Sequence, residues 1–215
     1  MATPAQLMET VSKATGVPLA TVVDIDRRLV TAGLRTKGGR GFSVARMTPL
    51  DAARLLTAIL GSPFAKTSAE AVARYARTRV DDQRSSEGLY ASLGVPELAV
   101  LRQRHSFIDA LAALLKALAV GSISTVAQAP TSTSKPRIEV FAFTRATAGR
   151  LKLSDFPANR SVMVEYASPP ASRARSRDGK GAATENTGDL EQSRRVTERT
   201  LLAIATLLSE ENGDE

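Results

Sequence analysis

The residues of this 215-residue chain best suited to chemistry are cations set among glycines. Lys37-Gly38-Gly39-Arg40-Gly41 puts two positive side chains on a loop whose three glycines admit positive φ, and Arg35 and Arg46 extend the charge on either side. A loop of this kind follows phosphate groups; it does not carry out a reaction. Upstream, Asp24, Asp26, Arg27 and Arg28 share one short run. There Asp24 can accept from a cytosine amino group or pair with Arg27 or Arg28 one turn on, while acids facing phosphates are repelled.

Catalytic chemistry has little to draw on. The single histidine, His105, falls at the edge of a helical run, where it reads as a cap or a surface group. With no cysteine, disulfides and thiolate metal sites are excluded, and the usual zinc and haem sites cannot be assembled. The glycines at 38, 39 and 41 lack the spacing and the following Lys-Ser or Lys-Thr of a phosphate-binding loop, and no dinucleotide fingerprint follows a strand. Asp81 and Asp82 make a charge pair without a metal-ligand pattern. A carboxylate-only metal site, or a serine site built from distant loops, stays open to sequence reasoning. We therefore expect no catalytic residue, no metal and no cofactor.

The elements that must position these groups can be read from periodicity. Leu7, Met8, Val11 and Ala14 share one face of a first helix, with Thr3 as cap, Pro4 at the first position and Gln6 completing a capping box. Gly16 ends it, and Val17-Pro18 make a turn too short to be a flexible linker. A second helix, Pro18 to Ala32, has Val22, Ile25, Leu29 and Val30 on its inner side and stops at Gly33. Leu34 to Thr36 and Phe42 to Ala45 are expected to pair as short strands around the glycine loop.

The run ATGVPLATVVDIDRRLVTAGL resembles the ATGLP-x-STV-x-x-x-x-x-x-LV-x-x-GL pattern of winged helix-turn-helix regulators such as the MarR and IclR families, over about a fifth of the chain. The resemblance implies that the second helix enters the major groove of DNA and that the glycine hairpin is its wing. The chain departs from the pattern in Asp24 and Asp26 on the reading helix. It departs again ahead of the helix pair, where only Met1 to Thr3 stand in place of a further helix, so that support is expected from downstream.

Composition agrees with a polyanion as partner: 29 bases against 22 acids give +7, with a pI near 10.1. Residues 1 to 47 hold seven of those bases and three acids. A hydrophobic share of 43% suffices for a core. No signal peptide is evident, and the longest apolar run, Phe107 to Val120, contains Asp109 and Lys116, so no membrane span and a cytoplasmic location are expected. Nine aromatics, not interleaved with cations along the chain, make a single-strand stacking platform poorly supplied.

Farther along, Thr48-Pro49-Leu50-Asp51 repeats the Thr-Pro cap before a helix through Leu55, Leu56, Ile59 and Leu60, and Thr67 or Ser68 caps another. Thr78 to Gly88 reads as a surface connection. A helical region from Val95 to Ala119, divided near His105, carries a broad leucine stripe suited to a core or to a dimer contact. Strands are expected at Arg137 to Thr144, Arg150 to Leu153 and Ser161 to Ala167, with Ala146 to Gly149 as a turn, and a helix from Arg194 to Glu210 as cover for the sheet.

The expected fold class is α+β: a winged helix-turn-helix (1–47), a helical core or dimerisation region (48–120), a linker (121–136), a small antiparallel β segment (137–168), a disordered tether (169–192) and a C-terminal amphipathic helix (193–210). The expected function is a duplex-DNA-binding regulator of transcription, bacterial or prophage-like and homodimeric, with any small-molecule effector unknown. Its DNA contacts are expected from Ala20, Thr21, Asp24, Arg27, Arg28, Arg35, Lys37, Gly38, Gly39, Arg40 and Arg46. The alternative is a non-enzymatic interaction, adaptor or DNA-packaging module on the same scaffold.

Overall fold

Reciprocal hydrogen bonds start three of the helices where Ser or Thr stands three residues before Gln or Asp. The structure is a computed structural model and describes residues 2–37, 45–88, 90–127, 135–144, 148–169 and 192–209. In α1 (Pro4–Thr15) the Gln6 amide donates to Thr3 Oγ1 at 3.3 Å while the Thr3 amide donates to the Gln6 side chain at 2.8 Å, and Gly16 closes the helix at φ +75°. After residues 16–18 comes α2 (Leu19–Thr31), burying Val22, Ile25, Asp26 and Leu29. The same exchange between Thr48 and Asp51 starts α3 (Pro49–Gly61), and α4 (Ser68–Tyr75) follows a single 3₁₀ turn.

Leu34 to Thr36 form no strand, because their polar groups are spent elsewhere. Arg54 donates to the Leu34 carbonyl at 3.0 Å, and the Thr36 amide and hydroxyl donate to the Asp51 carboxylate at 2.9 and 3.0 Å. The expected partner strand and the glycine loop fall on 38–44, outside the described residues.

The middle of the chain holds β1 (Arg79–Val80), α5 (Pro96–Ala99), α6 (Phe107–Ala119) and α7 (Ser122–Ala127). The short β1 lies within what reads as a surface connection. The helical region does divide, but over a longer break than expected: α5 ends at Ala99, residues 100–106 are not helical, and Ser106 with Asp109 caps α6. The expected linker begins as α7, with Ile123 buried and Ser122 Oγ donating to Glu97 at 3.0 Å; residues 128–134 lie outside the described set.

Then come β2 (Arg137–Phe143), β3 (Ala148–Phe156), β4 (Arg160–Ala167), β5 (Ser193–Thr197) and α8 (Glu198–Ser209). They complete an α+β fold whose one sheet, antiparallel throughout, runs in the order β1-β4-β3-β2-β5. Ser193 to Thr197, expected as the first turn of the C-terminal helix, instead pair with β2, so that Phe141 faces Arg195 and Val140 faces Val196. Ala148 and Gly149, expected in a turn, belong to β3; 145–147 and the tether positions 170–191 are outside the described residues.

Alternation decides which side of the sheet is covered. Ile138, Val140, Ala142, Leu151, Leu153, Val162, Val164 and Tyr166 are buried and join the helices in one hydrophobic core that continues across residue 120. The helix α6 lies at its centre, packed on α3 and α8, with Phe107, Leu111, Leu114 and Leu115 wholly buried. Burial of each such side chain contributes about 1.5–3 kcal/mol. The helix α8 packs mainly on α6 and α1, where the Thr200 hydroxyl donates to the Ala14 carbonyl at 3.3 Å, and with α3 it also covers part of the sheet at β5 and β2. The support expected for the first two helices therefore comes from α3, α4 and α8 together.

Helix and sheet meet tightly at Gly149, where any Cβ would run into the Phe107 ring. Gly149→Ala is expected to destabilise the fold by about 1–3 kcal/mol through overpacking, read as a lower urea midpoint. At the β3–β4 connection, exposed Ala158 is held at φ +63°, and Ala158→Gly is expected to raise stability by up to about 1 kcal/mol in the same measurement.

Candidate nucleic-acid interface

One side of α2 packs inward through Val22, Ile25 and Leu29; the other shows Ala20, Thr21 and Arg27 exposed, with Asp24 and Arg28 half-exposed beside them. Asp24 is engaged by Arg28 at 3.2 Å, the i+4 choice of the two partners open to it. Lys37 and Arg46, both exposed, stand at the two ends of segment 38–44. Those ends are anchored: Thr36 is bound to Asp51, and the Met47 amide donates to the Ala2 carbonyl at 3.0 Å.

Arg35 does not belong to this surface. Its guanidinium lies against Asp26 at 2.6 and 2.7 Å, with side chains only 9% and 6% exposed, so Arg35 and Asp26 are an interior ion pair. This corrects both readings of the run: Arg35 is no phosphate ligand, and Asp26 is no acid on the outward face. A buried carboxylate needs a counter-charge, and helical periodicity puts Asp26 beside Ile25 on the inner side. Gly38, Gly39 and Arg40 lie outside the described residues.

Asp51 is the second buried acid. Burial pushes its carboxyl up, but hydrogen bonds from the amides and hydroxyls of Thr36 and Thr48 outweigh that and hold it below the ordinary 3.8.

Beside α2 lies a groove of about 420 Å³ lined by Thr21, Ile25, Leu60, Phe64, Arg194 and Val196 among others. Phe64 is 61% exposed at its rim. Arg194 bridges the groove's floor by donating to the Ile59 and Ser62 carbonyls, both at 2.7 Å, which satisfies the C-terminal end of α3.

His105 is neither a cap nor a surface group. Its Nδ1 lies 2.6 Å from the Arg102 carbonyl, which can only accept, so this nitrogen carries the proton. The neutral ring's Nε2 then accepts from the Tyr166 hydroxyl at 2.7 Å, and Tyr166 in turn accepts from Tyr90 at 2.8 Å. Burial pushes both tyrosines up and His105 down. Tyr90 and His105 help line a cavity of about 550 Å³ whose mouth includes Ser85, Glu87 and Gln103. Every polar atom of the triad is satisfied within it, which makes it a structural relay with no free base. Nothing local in the sequence marks it, since Tyr166 is 61 residues from His105.

The face of the sheet turned away from the helices brings aromatics and cations together. Phe141 and Phe143, half-buried two positions apart on β2, have ring centroids 6.4 Å apart and nearly parallel planes. Arg150 from β3 lies 5.9 and 5.4 Å from the two centroids, and Arg195 from β5 lies 6.0 Å from that of Phe141. Interleaving absent along the chain is thus created by strand register, which sequence reasoning missed; the alternation of β2 was its only local sign.

The chain matches no family model, no curated protein and no solved structure.

Because His105 is held below its ordinary 6.5, the unfolded chain takes up a proton that the folded chain resists. Its contribution is full above pH 6.5 and is lost as pH falls from there toward the lowered folded value. His105→Gln is expected to flatten the fall in urea midpoint between about pH 7 and pH 5. Arg35→Ala is expected to cost about 3–5 kcal/mol of stability by stranding Asp26, in the same assay at neutral pH.

Proposed function

We propose that this protein is a non-enzymatic duplex-DNA-binding regulator that reads the major groove with α2. The observation that carries the reading is the sorting of charge on α2: Asp26 is turned inward and neutralised by Arg35, while Arg27 and Arg28 stay on the outer side against Asp24 alone. Exposed Lys37 and Arg46 at the ends of the glycine segment add positive charge to the same N-terminal region. The helix pair joined by residues 16–18, with the resemblance to winged helix-turn-helix regulators in ATGVPLATVVDIDRRLVTAGL, supports the same reading. Two-fold symmetric binding by a dimer is part of the proposal.

The exposed Phe64 at the rim of an apolar groove next to α2 favours a second reading, a protein-interaction, adaptor or packaging module. Salt titration of the full chain on random duplex DNA, with selection of preferred sequences, separates the two. A steep slope with an enriched symmetric site is the expected result, and absence of binding at low salt would leave the docking module. Lys37→Ala with Arg40→Ala is expected to weaken binding to all sequences and to flatten the salt slope by about two. Arg27→Ala with Arg28→Ala is expected to remove the enrichment.

A further inference from the structure

We infer that the face of the sheet turned away from the helices is a second nucleic-acid site, one that binds single-stranded DNA by stacking bases on Phe141 and Phe143 and holding phosphates with the cations around them. The face borders the groove beside α2 at Arg195, but its rings lie on β2 and it does not depend on the duplex reading. The helices cover the opposite side of the sheet, against Ile138, Val140, Leu151 and Val164. On this side Met163 is 36% exposed, and the Lys152 and Arg195 side chains are 48% and 55% exposed.

Charge complementarity names the occupant. Arg137, Arg150, Lys152 and Arg195 share the face with Glu139 and Glu165. Each acid is already engaged: Glu165 takes Arg150 at 2.6 Å, and Glu139 takes Arg195 at 2.8 Å and Lys152 at 3.6 Å. The surplus is therefore positive, and the acids hold Arg150 and Arg195 in place beside the rings instead of repelling a phosphate. A guanidinium over a phenyl ring gives a base both a flat apolar surface and a cationic edge, a combination tolerant of base identity. Two parallel rings on alternate residues of one strand offer successive bases of an extended strand one ring each. A duplex has its bases stacked inside and would have to be unstacked to use such rings.

DNA is favoured over RNA because both carboxylates, the acceptors that would reward a ribose 2′-hydroxyl, are already paired with cations, which weakens them for that role. A second copy of this chain is disfavoured because it would set one positive face on another.

The test is fluorescence anisotropy of the full chain with labelled oligo-dT at several salt concentrations, alongside amide NMR with the same probe. Binding at low salt is expected, with shifts confined to β2, β3 and β5. Phe141→Leu with Phe143→Leu, which keeps apolar packing and removes the aromatic faces, is expected to weaken oligo-dT binding at least tenfold and to leave duplex binding unchanged. Should that variant fail to fold by circular dichroism, Arg137→Gln with Lys152→Gln carries the test, and the salt slope for oligo-dT is expected to flatten by about one unit. Any of four results would overturn the inference: no oligo-dT binding at low salt, undiminished binding in the variants, amide shifts centred on Asp24, Arg27 and Arg28 of α2, or concentration-dependent self-association through the same residues. A tenfold preference for oligo-U would overturn the assignment to DNA.

Discussion

The ring of Phe107 is pressed against the sheet at Gly149, and the junction between the helices and the sheet depends on that contact. It lies over Gly149, edge-on to Tyr166 at 5.7 Å and tilted against Tyr75 at 5.3 Å. Its amide donates to Thr78 Oγ1 at 3.2 Å, and that hydroxyl donates to the Tyr75 carbonyl at 2.7 Å. The Tyr75 hydroxyl reaches on to the carbonyls of Phe143 and Ala148, at 2.9 and 3.1 Å, across the mouth of the β2–β3 hairpin. The N-terminus of α6, the C-terminus of α4 and the centre of the sheet are thus joined through one set of rings. Interiors packed to crystal density do not let such a cluster shift piecemeal, so α6 holds α3 and α8 in position from the same point.

Around that core, buried acids shape the surface proposed to meet nucleic acid. Asp26 and Asp51 each stand inside, and each is answered by a group from the stretch just after α2: Arg35 for one, Thr36 for the other. The chain leaving α2 is thereby drawn down onto the start of α3, which fixes where the glycine segment begins. The electrostatic consequence is direct. Two carboxylates that would oppose a polyanion are removed from solvent, while Arg27, Lys37 and Arg46 remain in it.

The sheet makes the same division by alternation. Residues one apart on β2 face opposite ways, so Ile138, Val140 and Ala142 enter the core while Glu139, Phe141 and Phe143 stay outside it. Pairing with β3 and β5 then places a guanidinium on each side of Phe141. Covering one face with helices stabilises the sheet, and the other face is left with aromatic and charged side chains that satisfy one another across strands.

Signals confined to a few residues were legible in the sequence. Thr3 with Gln6, Thr48 with Asp51, the stop at Gly16, the inner faces of α1 and α2, and the alternation of β2 follow from local sterics and hydrogen bonding, which need no distant partner. The same local logic yields the α+β class and the exposed set Ala20, Thr21 and Arg27. What only the tertiary structure decided involves groups far apart in the chain. Arg35 reads like its neighbour Lys37 until Asp26 is found inside the same turn of packing. His105 reads as a helix-edge polar group until Tyr166 and Tyr90 close around it. Ser193 to Thr197 read as helix because Val196 fits an apolar stripe as readily as a strand, and ladder hydrogen bonds to β2 settle the matter. Local sequence determines the direction in which a side chain leaves the backbone; the partner it meets depends on how the elements pack, and here that packing turned Arg35 away from solvent and brought Arg150 and Arg195 beside Phe141.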